Sequence, residues 1–145
     1  MEPKEVFQRF EKSLNEFLRS DNFLLEVRVN ERAISHKLAE HIQSQFPEWN
    51  VDCEYNRVKY DFKKVKGKLV NPDIIVHHRN TFVNLLVVEV KKSGNKKGIK
   101  KDIERLEIFT KDSIIYKVGI LVVFNKMNTI TKFFQNGKEV NVEKS

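Results

Sequence analysis

Apolar residues recur at helical spacing near the start of the chain. Val6, Phe7, Phe10, Leu14, Phe17 and Leu18 predict an amphipathic helix over 4–19. "DNFLLEVRV" has no clear period and reads as an extended connection. Asn30 suits the N-cap of a second helix that runs to about Phe46, where Pro47 follows the stop. Val51, Cys53 and Tyr55 alternate with polar neighbours, as in a half-buried strand. A basic loop or hairpin containing Gly67 leads to a strand at Asp73–His78, and "RNTFVN" turns the chain into a second strand at Leu85–Lys91. Gly94 and Gly98 bracket a flexible link to a helix at 99–111, with Ile99, Ile103 and Leu106 on one face. "IIYKVGILVVF" predicts a central strand. "FFQNGKEVNV" predicts a hairpin, because Asn136-Gly137 suits a type I′ turn. The order α, α, β, β, β, α, β, β predicts an α/β domain with helices packed on a mixed sheet.

One strand breaks its own pattern. Alternation puts Leu85, Val87, Glu89 and Lys91 on one face and Leu86, Val88 and Val90 on the other. A carboxylate and an ammonium thus share an apolar face, about 7 Å apart. Removing both from water costs several kcal/mol per ion unless a partner compensates. Hairpin pairing about 79–83 would bring Asp73 beside Glu89. Two carboxylates beside a lysine suit a hard cation, and Mg²⁺ takes one or two carboxylates plus waters and phosphate oxygens. Stepping about 100° per residue along the second helix puts Glu31 within about 60° of Ile34, Ser35, Leu38, Ile42 and Phe46. Glu31 is therefore either an acid favouring the helix dipole or a group reaching over the sheet toward Asp73 and Glu89.

Composition narrows the choice of partner. The 145 residues suffice for one domain with a real core. No apolar run approaches the ~20 residues of a membrane span. A mixed-charge start without a signal-peptide core predicts a cytoplasmic protein. Cys53, the only cysteine, rules out an internal disulfide or a multi-cysteine zinc site and reads as a small core residue. The formal net charge of +7 is clustered at Lys63, Lys64, Lys66 and Lys68 and at Lys91, Lys92, Lys96, Lys97, Lys100 and Lys101. Such runs either attract polyanions, nucleic acid first, or simply keep the surface solvated.

Pro72-Asp73, a gap of fifteen residues, then Glu89-Val90-Lys91 resembles the PD-(D/E)XK nuclease superfamily, the restriction-endonuclease-like fold. "NERAISHKLAEHI", "VDCEYNR" and "NLLVVEVKKS" also resemble a group of small bacterial members. The resemblance covers about residues 30–124 of a single domain, leaving the N-terminal helix and C-terminal hairpin outside it. It implies an αβββαβ core and Mg²⁺- or Mn²⁺-dependent hydrolysis of phosphodiesters, in DNA rather than RNA. It also implies that Asp73 and Glu89 hold the metal, with the Val90 carbonyl as a further ligand. By the same resemblance Lys91 orients water or stabilises developing charge, and Glu31 acts through a metal-bound water. Lys63, Lys64, Lys66, Lys92, Lys96, Lys97, Lys100 and Lys101 would bind the phosphate backbone. A binding module of the same fold without turnover, or a non-catalytic interaction subunit, are the alternatives. Specificity in so small a domain would come from a homodimer or a partner subunit.

The remaining polar residues are more ambiguous. Asp102 either buttresses Lys91 or forms a surface pair with Arg105. Tyr55, Asn56 and Arg57 either reach substrate or serve packing and surface charge. His77 and His78, adjacent on a strand, point to opposite faces and read as strand-end surface residues, as His36 does on the polar side of its helix. No glycine-rich phosphate loop and no GxSxG elbow occurs.

Overall fold

In the computed structural model, Pro3 opens helix α1 (Pro3–Ser20), where its fixed φ fits the first turn and its missing N–H costs nothing. Val6, Phe7, Phe10, Leu14 and Phe17 form its buried face, as their spacing predicts. The structure describes all residues except 56, 59–60, 63, 66–67, 70, 112–114, 126–127 and 143–145. For the strand residues between 57 and 69 it describes the backbone alone. The "FLLE" stretch is a short helix, α2 (Phe23–Glu26), and not an extended connection. Its backbone is satisfied locally, with Val27 N–H donating to Phe23 O and Val29 N–H to Leu24 O. Helix α3 (Glu31–Gln45) is capped by Asn30, whose side chain accepts from the Ala33 N–H at 2.8 Å.

The strands are β1 (Asn50–Cys53), β2 (Arg57–Val58), β3 (Asp61–Phe62), β4 (Lys64–Val65), β5 (Lys68–Leu69), β6 (Ile74–His77), β7 (Asn84–Lys92), β8 (Val118–Phe124), β9 (Thr129–Gln135) and β10 (Lys138–Val140). β2–β3 and β4–β5 are small antiparallel pairs, so the basic segment forms hairpins. The other six strands form one open mixed sheet in the order β1-β6-β7-β8-β9-β10, in which only β7 and β8 run parallel. β9–β10 turns at Asn136 (φ 54) and Gly137 (φ 79), the backbone of the expected I′ hairpin. β8 is buried throughout, which explains its unbroken apolar run.

Helix α4 (Lys96–Thr110) crosses from β7 to β8. Gly98 lies inside it and not in a flexible link, because the Asn95 side chain caps the helix by accepting from the Gly98 N–H. α1 and α3 cover one sheet face through Ile74, Leu86, Val88, Val90, Ile120 and Val122. α4 covers the other with Leu106 and Phe109 against Ile75, Val87, Leu121 and Phe134. Leu85 departs from its expected face and joins the α1/α3 layer. The register slips there, His77 pairing with Asn84 but Val76 with Leu86, so Leu85 is the extra residue of a bulge. Among the described residues no helix is long and apolar enough to cross a membrane.

Gly119 sets how closely α4 approaches. A Cβ there would lie 2.9 Å from Leu106 Cδ2 and 3.1 Å from Thr110 Cγ2, both on fully buried residues. Gly119→Val is expected to lower stability in urea denaturation by about 1–3 kcal/mol through overpacking. A wild-type midpoint would show that α4 moves freely over the sheet.

Candidate functional site

β7 outruns its neighbour. The last residue pair between β6 and β7 joins Ile74 to Val88, so the Val90 and Lys92 amides on that side extend past the end of β6. Buried or half-buried donors need acceptors. Two carboxylates supply them: Asp73 Oδ2 accepts from the Val90 N–H at 2.7 Å, and Glu31 Oε2 accepts from the Lys92 N–H at 2.8 Å. On alternating strand geometry the Val90 carbonyl leaves the strand on the same side as its N–H, toward Asp73. Asp73 is placed at the entry to β6, where its carbonyl accepts from the Glu54 N–H at 3.1 Å, and Glu31 by the first turn of α3.

The opposite sheet face adds the rest. Glu89, 1% exposed, points under α4. Its Oε1 lies 3.3 Å from an Arg105 nitrogen yet makes no hydrogen bond among the described residues. Lys91 Nζ stands 3.3 Å from Asp102 Oδ2 and 3.8 Å from Glu31 Oε1. Arg105 also approaches Asp102, at 3.8 Å. Single carboxylate oxygens of Asp73, Glu89 and Asp102 lie within 4.8 Å of one another. The structure thus brings together Glu31, Asp73, Glu89, Val90 and Lys91.

The electrostatics follow from burial. Desolvation raises the Glu89 carboxyl well above the usual range, and the Asp73 charge adds to it against the pull of Arg105. Burial lifts Asp102 to about 6, with Asp73 assisting and Lys91 and Arg105 opposing. For Lys91 burial works downward, but Asp102, Glu31 and Asp73 outweigh it and the pKa is raised. With every group ionised, four carboxylates face two cations, an excess of two negative charges. An all-oxygen donor set with that excess, and with Glu89 Oε1 and Asp102 Oδ2 lacking hydrogen bonds among the described residues, fits a hard divalent cation.

Asp102 meets both expected partners, Lys91 at 3.3 Å and Arg105 at 3.8 Å, but at 2% exposure it does so beneath α4 and not on the surface. Sequence reasoning missed Arg105 as a member of the site. A signal was present, since Asp102, Leu106 and Phe109 fall within about 60° around the helix and bring that side onto the sheet. Beside the site, Glu31, Asp73, Arg32, His36, Cys53 and Glu54 help to line a pocket of about 380 Å³ through which the two acids are reached. Cys53 is half-buried against the core, and its thiol is pushed up to about 11 by burial.

The other candidates divide. Lys96, Lys97, Lys100 and Lys101 are exposed along the first turns of α4, and Lys92 is half-buried. Lys63, Lys66 and Asn56 lie outside the described residues, as do the side chains of Lys64, Lys68 and Arg57. Tyr55 packs edge-on against His77, with centroids 4.7 Å apart. His77 is not a surface residue: it is 2% exposed, with Nε2 2.7 Å from Asp52 Oδ2. Asp52 is held in turn by Arg79, 2.9 Å from its Nε. His78 stacks on Trp49 at 4.0 Å. His36 is exposed.

Compared with known proteins, the chain matches no family model, no curated protein and no solved structure.

Proposed function

We propose that this chain is a divalent-metal-dependent nuclease of the PD-(D/E)XK superfamily, hydrolysing phosphodiester bonds of DNA in preference to RNA. The observation that carries the reading is the convergence of Asp73, Glu89 and Lys91 at the overhanging end of β7, around a buried carboxylate oxygen without a hydrogen bond among the described residues. The succession α3, β1, β6, β7, α4, β8, with β2–β5 as an insertion, is compatible with an αβββαβ core. In this reading Asp73, Glu89 and the Val90 carbonyl hold Mg²⁺ or Mn²⁺, and Asp102 adds a fourth oxygen donor beside them. When bound, the ion supplies an acidified water and neutralises charge growing on the phosphoryl oxygens. Lys91, fixed by Asp102 and Glu31, directs its ammonium at that charge, a preorganised electrostatic contribution. Glu31 holds the end of β7 and the Lys91 ammonium together.

Single-stranded, duplex and branched DNA and RNA, each incubated with Mg²⁺, Mn²⁺ or EDTA, test the proposal. Cleavage is expected with metal only, and Asp73→Asn should reduce it at least about a hundredfold. Cleavage that survives both EDTA and Asp73→Asn would refute the assignment. Arg105, already beside Glu89 and Asp102, favours one competing reading: a binding module in which a guanidinium stands in for the metal. That module would bind duplex with no cleavage in any metal.

A further inference from the structure

A second cavity opens on the α3 side of the same strand end. Lys91 faces α4, whereas Lys92 helps to line a pocket of about 330 Å³ between α2, the start of α3 and the ends of β7 and β8. Leu24, Leu25, Val29, Ile34 and Phe124 supply its apolar lining. Its volume is at the low end of the roughly 300–1,000 Å³ of small-molecule pockets, ample for one flat ring system. Arg28 and Lys92 are its cations, and the Asn125 amide offers both a donor and an acceptor. Phe23, on the same short helix, is 65% exposed and presents a ring to solvent.

This pocket touches the candidate site through two shared elements. The Lys92 N–H is the donor bound by Glu31, and Ile34 sits one turn after Glu31 on α3. Apolar walls, cations and an amide recognise a heterocyclic base carrying a phosphate. A base can enter such a slot only when it is out of the helical stack. Arg28 adopts φ 55, a conformation that costs a non-glycine residue strain. That conformation closes α2, with Arg28 N–H donating to Leu25 O and Val29 N–H to Leu24 O, and it leaves the Arg28 side chain lining the pocket.

We propose that the pocket between α2 and the ends of β7 and β8 receives one unpaired nucleobase next to the phosphate held at the candidate site. The substrate is therefore a single strand, flap or branch in preference to an intact duplex. The proposal rests on the nucleic-acid reading above and adds the class of substrate to it.

The test compares a single strand, a flapped duplex and a blunt duplex of one sequence, each binding the full chain in EDTA and followed by fluorescence anisotropy. Wild type is expected to prefer the strand and the flap by about tenfold, the order of one base stacked in an apolar site. Leu25→Trp, which fills the slot, should abolish the preference and leave blunt-duplex affinity unchanged. Arg28→Gly removes the cation while relaxing the backbone, and should weaken flap binding several-fold without altering duplex binding. It decides the question should Leu25→Trp fail to fold. No preference in wild type, or a preference that both variants retain, would overturn the proposal. Cleavage with Mn²⁺ is followed on the same substrates. Preference without cleavage defeats the nuclease reading alone, and cleavage without preference defeats the pocket alone.

Discussion

Lys91→Ala is expected to bind duplex DNA within about twofold of wild type and to cleave it about 10²–10³ times more slowly, the usual effect of losing one preorganised donor. The ammonium already sits between Asp102 and Glu31. Its charge is therefore largely compensated and adds little to the attraction of a polyanion at a distance. In the proposed reaction it would act on charge that appears only during turnover, so its loss should fall on turnover. Lys96, Lys97, Lys100 and Lys101 should behave in the opposite way. They are exposed, and changing all four to Gln should weaken binding and flatten its salt dependence, by about 0.9 in log–log slope for each phosphate no longer neutralised. Activity should return at saturating substrate. If Lys91→Ala instead cleaves normally while binding poorly, Lys91 belongs with the surface lysines and the assignment of its role fails.

Without metal, the chain is expected to lose stability as pH rises from about 4 through 6 and beyond, and a Glu89→Gln variant, which keeps Asp102 but lacks the Glu89 charge, is expected to lose less. An unfolded Asp102 releases its proton near 3.8, but the folded one holds it to about 6. The unfolded state therefore binds fewer protons across that window, and stability falls with pH. The shift corresponds to roughly 3 kcal/mol as an order of magnitude. Glu89, raised for the same reason of burial, starts its loss near 4.5 and extends it upward. Glu89→Gln keeps the shape, removes one buried charge and should be the more stable protein at pH 8. Millimolar Mg²⁺ should reverse the order. A cation binds the ionised acids, so it stabilises wild type far more at pH 8 than at pH 5, by about 2.7 kcal/mol at a hundredfold excess over its dissociation constant. Denaturation curves at both pH values decide it. An equal response to Mg²⁺ in wild type and Glu89→Gln would place the ion elsewhere.

What could be read in the sequence follows from which geometry is local. Strand alternation alone puts Glu89 and Lys91 on one face, and the turn at 79–83 is short enough to bring Asp73 beside them. Glu31 was legible because it interrupts an apolar stripe. His77 was not, because its burial is decided by Asp52 and Tyr55 on and after β1, partners remote in sequence. α2 escaped notice because four residues are too few to display a period. Arg105 looked like half of an exposed i, i+3 pair. Only the rotation of α4 over the sheet, set in part by the missing side chain at Gly119, turns that pair inward.

The overhang of β7 also makes the site observable without any substrate. The amide protons of Val90 and Lys92 point at carboxylate oxygens, not at a neighbouring strand. In a ¹H–¹⁵N spectrum, such protons shift with the charge and position of the oxygen they meet. Val90 then reports on Asp73, and Lys92 on Glu31, each through a single resolved cross-peak. A titration with a cation or an oligonucleotide would be read at two known atoms on the same strand, two residues apart. One of them adjoins the acids beneath α4 and the other adjoins the pocket behind α3, so the spectrum would tell which side a ligand enters first.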